Sequence, residues 1–198
     1  IGCSEKQVAR AVVLYRDTGE VARDDAADLP PNCSIPVDEG AQCNIDYYVP
    51  GSNASIFSPQ GGVRIGMMDL AKIGQVLLPL TSEFFSESAR QEIVTNIVFN
   101  VATEQEFFCA YGLAVHQIET PEVECKDKLF DDDGKRIGHA GEAEGLRAGL
   151  WLSPELKSGF AYFTTAVPSR KMEQDQGGFH PREIDLMARA QRLIEEGG

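Results

Sequence analysis

The stretch Ile137-Gly138-His139-Ala140-Gly141-Glu142-Ala143-Glu144-Gly145-Leu146 decides how this chain folds, and it reads as one strand leading into another. Glycine weakens the interior of a strand, so several glycines together indicate the close approach of a ligand or of another backbone. Side chains two positions apart share a face of a strand, so His139 is predicted to face the same side as Gly141. The alternative is a glycine-rich hairpin with an incidental surface histidine.

Length and charge restrict the classes of partner. With 198 residues, the chain is long enough to bury a core, as one large domain or two small ones. Its net charge of −13 argues against nucleic acid and anionic membrane surfaces, since both require a basic patch. No apolar run approaches the roughly 20 residues that span a bilayer, so no membrane span is expected. The chain opens with Ile-Gly-Cys-Ser, from which we expect the true N-terminus to have been removed or to lie elsewhere.

The five cysteines are Cys3, Cys33, Cys43, Cys109 and Cys125, and none forms a Cys-x-x-Cys pair. A zinc ribbon or a thioredoxin-like motif is therefore not expected. Cys33 and Cys43 bracket a short polar loop, and Cys109 and Cys125 bracket a predicted hairpin. Both pairs are expected to form local disulfides of a periplasmic or secreted protein. Cys3 is left without a partner in this scheme, which suggests a partner outside this sequence. The alternative is five reduced thiols in a cytosolic protein.

Hydrophobic periodicity and turn residues predict an α+β fold in which an antiparallel meander packs against the last helix. The predicted helices cover residues 5–16, 67–78, 86–97 and 181–195, and residues 17–62 are largely irregular. The predicted strands cover residues 107–118, 126–130, 135–140, 145–152 and 159–167.

Two stretches resemble the β-lactamase-related serine hydrolases, a superfamily of class C β-lactamases, D-alanyl-D-alanine carboxypeptidases and esterases. Ser58-Pro59-Gln60-Gly61-Gly62-Val63-Arg64-Ile65, followed by Asp69-Leu70-Ala71-Lys72-Ile73-Gly74, is similar to the segment that leads into a helix of that family. The run from Gly138-His139-Ala140-Gly141 to Trp151 resembles its third motif, which is Lys-Thr-Gly or His-x-Gly, and the strand after it. The order of helices, motif strand, two further strands and C-terminal helix also agrees.

The family's first two motifs are missing. No serine is followed three positions later by lysine, and no Tyr-x-Asn occurs. The resemblance therefore implies the C-terminal portion of one β-lactamase/transpeptidase-like domain, with residues 1–106 helical and irregular and residues 107–198 forming the sheet and terminal helix. The N-terminal half of the fold would belong to a preceding segment. The sheet would then have an open edge at its last strand, covered by that segment or by a self-associated copy.

The resemblance also implies roles for individual residues. His139 would bind a substrate carboxylate or assist proton transfer, and the backbone N–H of Glu142 would be one oxyanion donor. Ala140 and Gly141 would lie against the substrate, and Arg147 is either an anion contact or a surface arginine. No metal or cofactor is expected.

The expected function is therefore one part of an exported serine hydrolase acting on a β-lactam, a D-alanyl peptide or a small ester. This piece alone would be inactive, because it lacks the nucleophile. The alternative is a non-catalytic relative, in which the same fold serves as a binding or interaction module.

Overall fold

The computed structural model describes residues 12–21, 65–79, 84–95, 98–99, 107, 109–119, 125–132, 134–143, 145–155, 157–168 and 178–197. The helices and strands within these ranges are α1 (Met67–Gln75), α2 (Glu87–Val94), β1 (Val98–Phe99), β2 (Ala110–Tyr111), β3 (His116–Ile118), β4 (Arg136–Ala143), β5 (Leu146–Ser153), β6 (Ser158–Thr164) and α3 (Pro181–Gly197). Two compact units are formed, one by Ile1–Gly66, Ala143–Leu146 and Thr164–Pro168, the other by Met67–Glu142, Arg147–Phe163 and Ser169–Gly198.

The described strands form one six-stranded sheet in chain order, from β1 to β6. The first four are paired antiparallel, with Tyr111 opposite His116 and His116 opposite Gly138. Two residues join β4 to β5 and four join β5 to β6, and connections this short join antiparallel neighbours. The predicted α+β arrangement, its meander and its C-terminal helix are confirmed at this level.

Helix α3 packs on the sheet through Met187, which belongs to a buried cluster with Trp151 and Tyr162. Pro181 occupies its first turn, where a missing N–H costs nothing. Two side chains cap its N-terminus: the Glu183 carboxylate accepts from the backbone N–H of His180 at 2.9 Å, and His180 Nδ1 accepts from Arg182 N at 3.1 Å. The Tyr162 hydroxyl also donates to this carboxylate, at 2.7 Å. The start of α3 is therefore tied to β6.

A second buried cluster joins α1 and α2 to the sheet. It contains Leu78, Val115, Ile137 and Leu152, with partly buried side chains from the turn after α1, from α2 and from β5 around it. In the predicted helix 67–78 the apolar spacing of Leu70, Ile73 and Leu77 indicates a buried stripe, and this is wrong at Ile73, which is 53% exposed. The neighbouring Gly74 is buried instead, because its missing Cβ lets the helix approach two leucines of β5.

Ser86 and Ser88 are the candidate caps that the sequence offers for α2, and Ser86 is the one that caps it, by accepting from Ala89 N at 3.1 Å. This helix ends at Val94 rather than at residue 97. Thr95 closes it, since its backbone N–H donates to Gln91 O.

The predicted helix 5–16 is wrong over residues 12–16, and its earlier part lies outside the described residues. Tyr15 forms an isolated antiparallel bridge with Val21 around a turn in which Gly19 has a φ of +84°. In the same unit, Tyr15 N donates to the Thr165 hydroxyl at 2.7 Å and Tyr15 O accepts from Ala166 N at 3.2 Å. These distant partners provide the hydrogen bonds that a helix would have supplied locally.

The predicted single strand 107–118 is also wrong, because a tight turn divides it into β2 and β3. Gly112 N donates to Val115 O at 2.8 Å within that turn. Residues 126–130 are described but do not form a strand. The predicted disulfide Cys109–Cys125 is present, with a Cα–Cα distance of 6.2 Å. The predicted pair Cys33 and Cys43 lies outside the described residues, as does Cys3.

Candidate active site

The central feature of the candidate site is the part of β4 that extends beyond its pairing with β3. That pairing covers Arg136, Ile137 and Gly138, whereas β4 continues to Ala143. Within the described residues, His139 to Glu142 therefore have no partner strand on the β3 side, and we call this segment the open edge of β4. The unpaired edge of a strand is a natural template for an extended ligand.

The glycines of the initial motif serve different purposes. A Cβ on Gly138 would overlap the carbonyl oxygen of Leu150, so this glycine permits close approach of the β5 backbone. A Cβ on Gly141 would meet only Ala148, at 3.7 Å or more, which is an ordinary contact. Packing therefore requires glycine at Gly138 and does not require it at Gly141. The glycines are expected to permit the close approach of a ligand or of another backbone. Close approach of the β5 backbone explains Gly138, and Gly141 remains available for a ligand.

His139 is exposed, and both nitrogens of its ring lie within hydrogen-bond distance of an oxygen. Nδ1 lies 2.5 Å from the carbonyl oxygen of Ala140, and Nε2 lies 2.5 Å from Oη of Tyr111. A carbonyl oxygen only accepts, so Nδ1 carries the proton of the neutral ring. Nε2 is then an acceptor, and the Tyr111 hydroxyl donates to it. A ligand at this position would therefore meet a hydrogen-bonded tyrosine–histidine pair rather than an isolated histidine.

Tyr111 is held against a buried histidine. Its ring lies 5.9 Å from that of His116, with an angle of 22° between the planes. His116 is fully buried, 5.0 Å from the ring of Phe107 and 5.4 Å from that of Trp151. Its Nε2–H donates to Phe107 O at 3.0 Å. This aromatic group fixes the position from which Tyr111 reaches His139.

The pKa of His116 is lowered to about 4. Burial is the largest cause, since it disfavours the charged ring, and the charge of His139 acts in the same direction. The hydrogen bond to Phe107 opposes both. His116 is therefore neutral near pH 7 and is a structural neighbour of the pair rather than a second acid or base. Burial also raises the pKa of Tyr111, which keeps its hydroxyl protonated.

Glu142 and Arg147 form an ion pair across the connection between β4 and β5. Arg147 Nη1 lies 2.5 Å from Glu142 Oε2, and the arginine side chain is 16% exposed against 65% for the glutamate. An arginine already paired with a carboxylate has less charge to offer a substrate anion. The anion contact predicted for Arg147 stays a prediction, as does the oxyanion role of the Glu142 backbone.

The sequence brings His139, Ala140, Gly141 and Glu142 together on one strand, and the structure adds Tyr111, which sequence reasoning missed. The reason is the turn at Gly112: within an unbroken strand 107–118, Tyr111 would lie far from β4. Once that turn is recognised, Tyr111 lies two strands from β4, within reach of His139 across β3. Gly112, directly after Tyr111, is the residue in the sequence that could have indicated this turn.

Comparisons of the chain with protein-family models, with curated proteins and with solved structures find no match. The resemblance to β-lactamase-related hydrolases therefore rests on the sequence motifs. No helix of the described segments has both the length and the apolar character to cross a bilayer. Among the same residues, no three His, Cys, Asp or Glu side chains are grouped to hold a metal ion.

Proposed function

We propose that this chain is part of an exported serine hydrolase of the β-lactamase-related superfamily, acting by acyl transfer on a β-lactam, a D-alanyl peptide or a small ester. The chain supplies the His-x-Gly strand and one oxyanion donor of a β-lactamase/transpeptidase-like fold. The nucleophile comes from a preceding segment. The observation that carries the proposal is the open edge of β4, which presents an exposed His139 beside a Gly141 that packing does not require.

The reaction assigns a task to each group at this edge. A serine hydroxyl attacks a carbonyl, a base removes its proton, and backbone N–H groups stabilise the oxyanion. The Glu142 N–H is one of those donors, and the N–H of the nucleophile is the other. Ala140 and Gly141 line the strand edge against the substrate amide or ester. His139 binds a substrate carboxylate or assists proton transfer.

Two features support an exported protein with a further segment. The disulfide Cys109–Cys125 is of the kind that persists in oxidising compartments, which favours the periplasm or the exterior of the cell. The strand β6 is last in the order of the described sheet, so its outer edge is where a preceding segment or a second copy would pair.

The test compares two polypeptides, residues 1–198 and a longer chain that includes the upstream reading frame. Hydrolysis of nitrocefin, of a D-alanyl-D-alanine peptide and of p-nitrophenyl acetate covers the three substrate classes. We expect turnover by the longer chain and none by residues 1–198. Serine-dependent turnover by residues 1–198 would overturn the division of labour, and a longer chain inactive on all three would overturn the enzymatic assignment.

A histidine exchange in the longer chain tests the site itself. His139→Asn should lower the turnover about 100-fold or more, since the lower end of the range for a proton-transfer group is about 100-fold. The matched control is His180→Asn, which removes another imidazole and leaves a good capping residue at the start of α3. Equal losses in both variants would refute a specific role for His139.

A non-catalytic binding module remains the second candidate, because no Ser-x-x-Lys occurs in the sequence. The upstream reading frame separates the two candidates. Ser-x-x-Lys followed by Tyr-x-Asn in that frame supports the enzyme, and a frame without them supports the module.

A further inference from the structure

We propose that the hydrogen bond between Tyr111 and His139 is a proton-controlled switch, which makes binding of a small carboxylate at the open edge of β4 depend on the uptake of one proton. The proposal rests on the proposed function only in placing a substrate at this edge. It concerns the hydrogen-bond donors, acceptors and charge that Tyr111 and His139 present to a ligand in each protonation state. The two ring nitrogens of His139 determine these.

In the neutral state the direction of both hydrogen bonds is fixed. The Ala140 carbonyl, 2.5 Å from Nδ1, can only accept, so the ring proton is on that nitrogen. Nε2 then accepts the Tyr111 proton across 2.5 Å. The phenol proton points at the imidazole, and the oxygen presents lone pairs to a ligand. Lone pairs repel a carboxylate, so the neutral pair is a poor anion site.

In the protonated state the bond to Tyr111 must reverse. Both nitrogens of an imidazolium are donors, and Nδ1 still faces the Ala140 carbonyl. Nε2–H therefore donates to Tyr111 Oη, and the phenol proton turns away from the ring. One added proton thus removes an acceptor, creates an outward O–H donor and places a positive charge next to it. A carboxylate, which only accepts, matches this second state.

The surroundings leave the imidazolium charge available. His116 faces the pair through its contact with Tyr111, and its pKa of about 4 keeps it uncharged above pH 5. Glu142, three residues along the same strand, is paired with Arg147. The tyrosine ring itself is held by stacking on His116, so reversal requires rotation of a hydroxyl and no movement of the backbone.

The experiment measures the dissociation constant of acetate for residues 1–198 at pH 5.5 and pH 8, at constant sodium concentration, from NMR shifts of the His139 and Tyr111 signals. Acetate is ionised at both pH values, so a difference in affinity reports a change in the protein and not in the ligand. We expect binding about fivefold tighter at pH 5.5, the effect of one unit charge at contact distance in water.

Variants separate the charge from the donor. Tyr111→Phe keeps the imidazole and should bind acetate about threefold more weakly than wild type at pH 5.5, with no difference at pH 8. His139→Asn should bind equally at both pH values, and the control His180→Asn should retain the wild-type response. Equal wild-type binding at the two pH values, no binding at all, or an unchanged Tyr111→Phe would overturn the switch. The titration requires no nucleophile, so its failure is distinct from failure of the turnover assay.

Discussion

The burial of His116 makes the stability of the fold depend on pH in a predictable direction. Its pKa falls from 6.5 in the unfolded chain to about 4 in the fold. Between about pH 4 and pH 6.5, this histidine is protonated in the unfolded state and neutral in the folded state. The free energy of unfolding therefore falls as the pH decreases from 6.5 to about 4, by about 3 kcal/mol at about 1.4 kcal/mol per pKa unit.

Other buried groups act in the opposite sense. Burial raises the pKa values of Glu119, Asp127 and Glu183, so the folded state takes up their protons first and acidification favours it. The total pH profile therefore does not isolate His116. The useful quantity is the difference between wild type and His116→Gln, which removes the titrating ring and keeps a side-chain N–H donor.

The assay is urea unfolding at pH 4, 5, 6, 7 and 8, followed by the fluorescence of Trp151, the single and fully buried tryptophan. Wild type should exceed His116→Gln by about 3 kcal/mol more at pH 7 than at pH 4. The free energy of unfolding of His139→Asn should fall slightly less than that of wild type between pH 7 and pH 4, because the charge of His139 contributes to lowering the His116 pKa. Parallel pH profiles for wild type and His116→Gln would refute the reasoning.

Three further changes test the packing around the site. Gly138→Ala should destabilise the fold by about 3 kcal/mol, because the new Cβ overlaps the backbone of β5, whereas Gly141→Ala should change the unfolding free energy by less than about 1 kcal/mol. Replacing both Cys109 and Cys125 by alanine should cost about 3 kcal/mol in urea unfolding, since the disulfide closes a loop with a sequence separation of 16. Ser86→Ala should cost about 1 kcal/mol and lower the midpoint of thermal unfolding, because it removes the cap of α2.

The meander and the last helix could be predicted because local signals agree there. Short connections separate β4, β5 and β6, aromatic residues are frequent in β6, and Pro181 marks the start of α3. β4, β5 and β6 also lie beside their neighbours in sequence, so the local pattern is enough to order them.

The remaining elements depend on contacts that the local pattern does not contain. The segment at Tyr15 pairs with residues near 165, about 150 positions away, instead of continuing a helix. The orientation of α1 follows from a glycine that fits against β5, which places Ile73 outside. The same limit explains the site: His139 and Gly141 lie in one stretch of sequence, whereas Tyr111 reaches His139 only through the fold.

The most direct test is the acylation rate of the longer polypeptide by p-nitrophenyl acetate when a side chain is added at the open edge of β4. Gly141→Val places two methyl groups where the substrate should lie. The fold has room for the new side chain, because a Cβ at this position would meet only Ala148, at 3.7 Å or more. We predict acylation at least about tenfold slower than wild type, with the unfolding free energy within about 1 kcal/mol. An unchanged acylation rate in this folded variant would contradict the assignment of the edge as a wall of the acyl-transfer site.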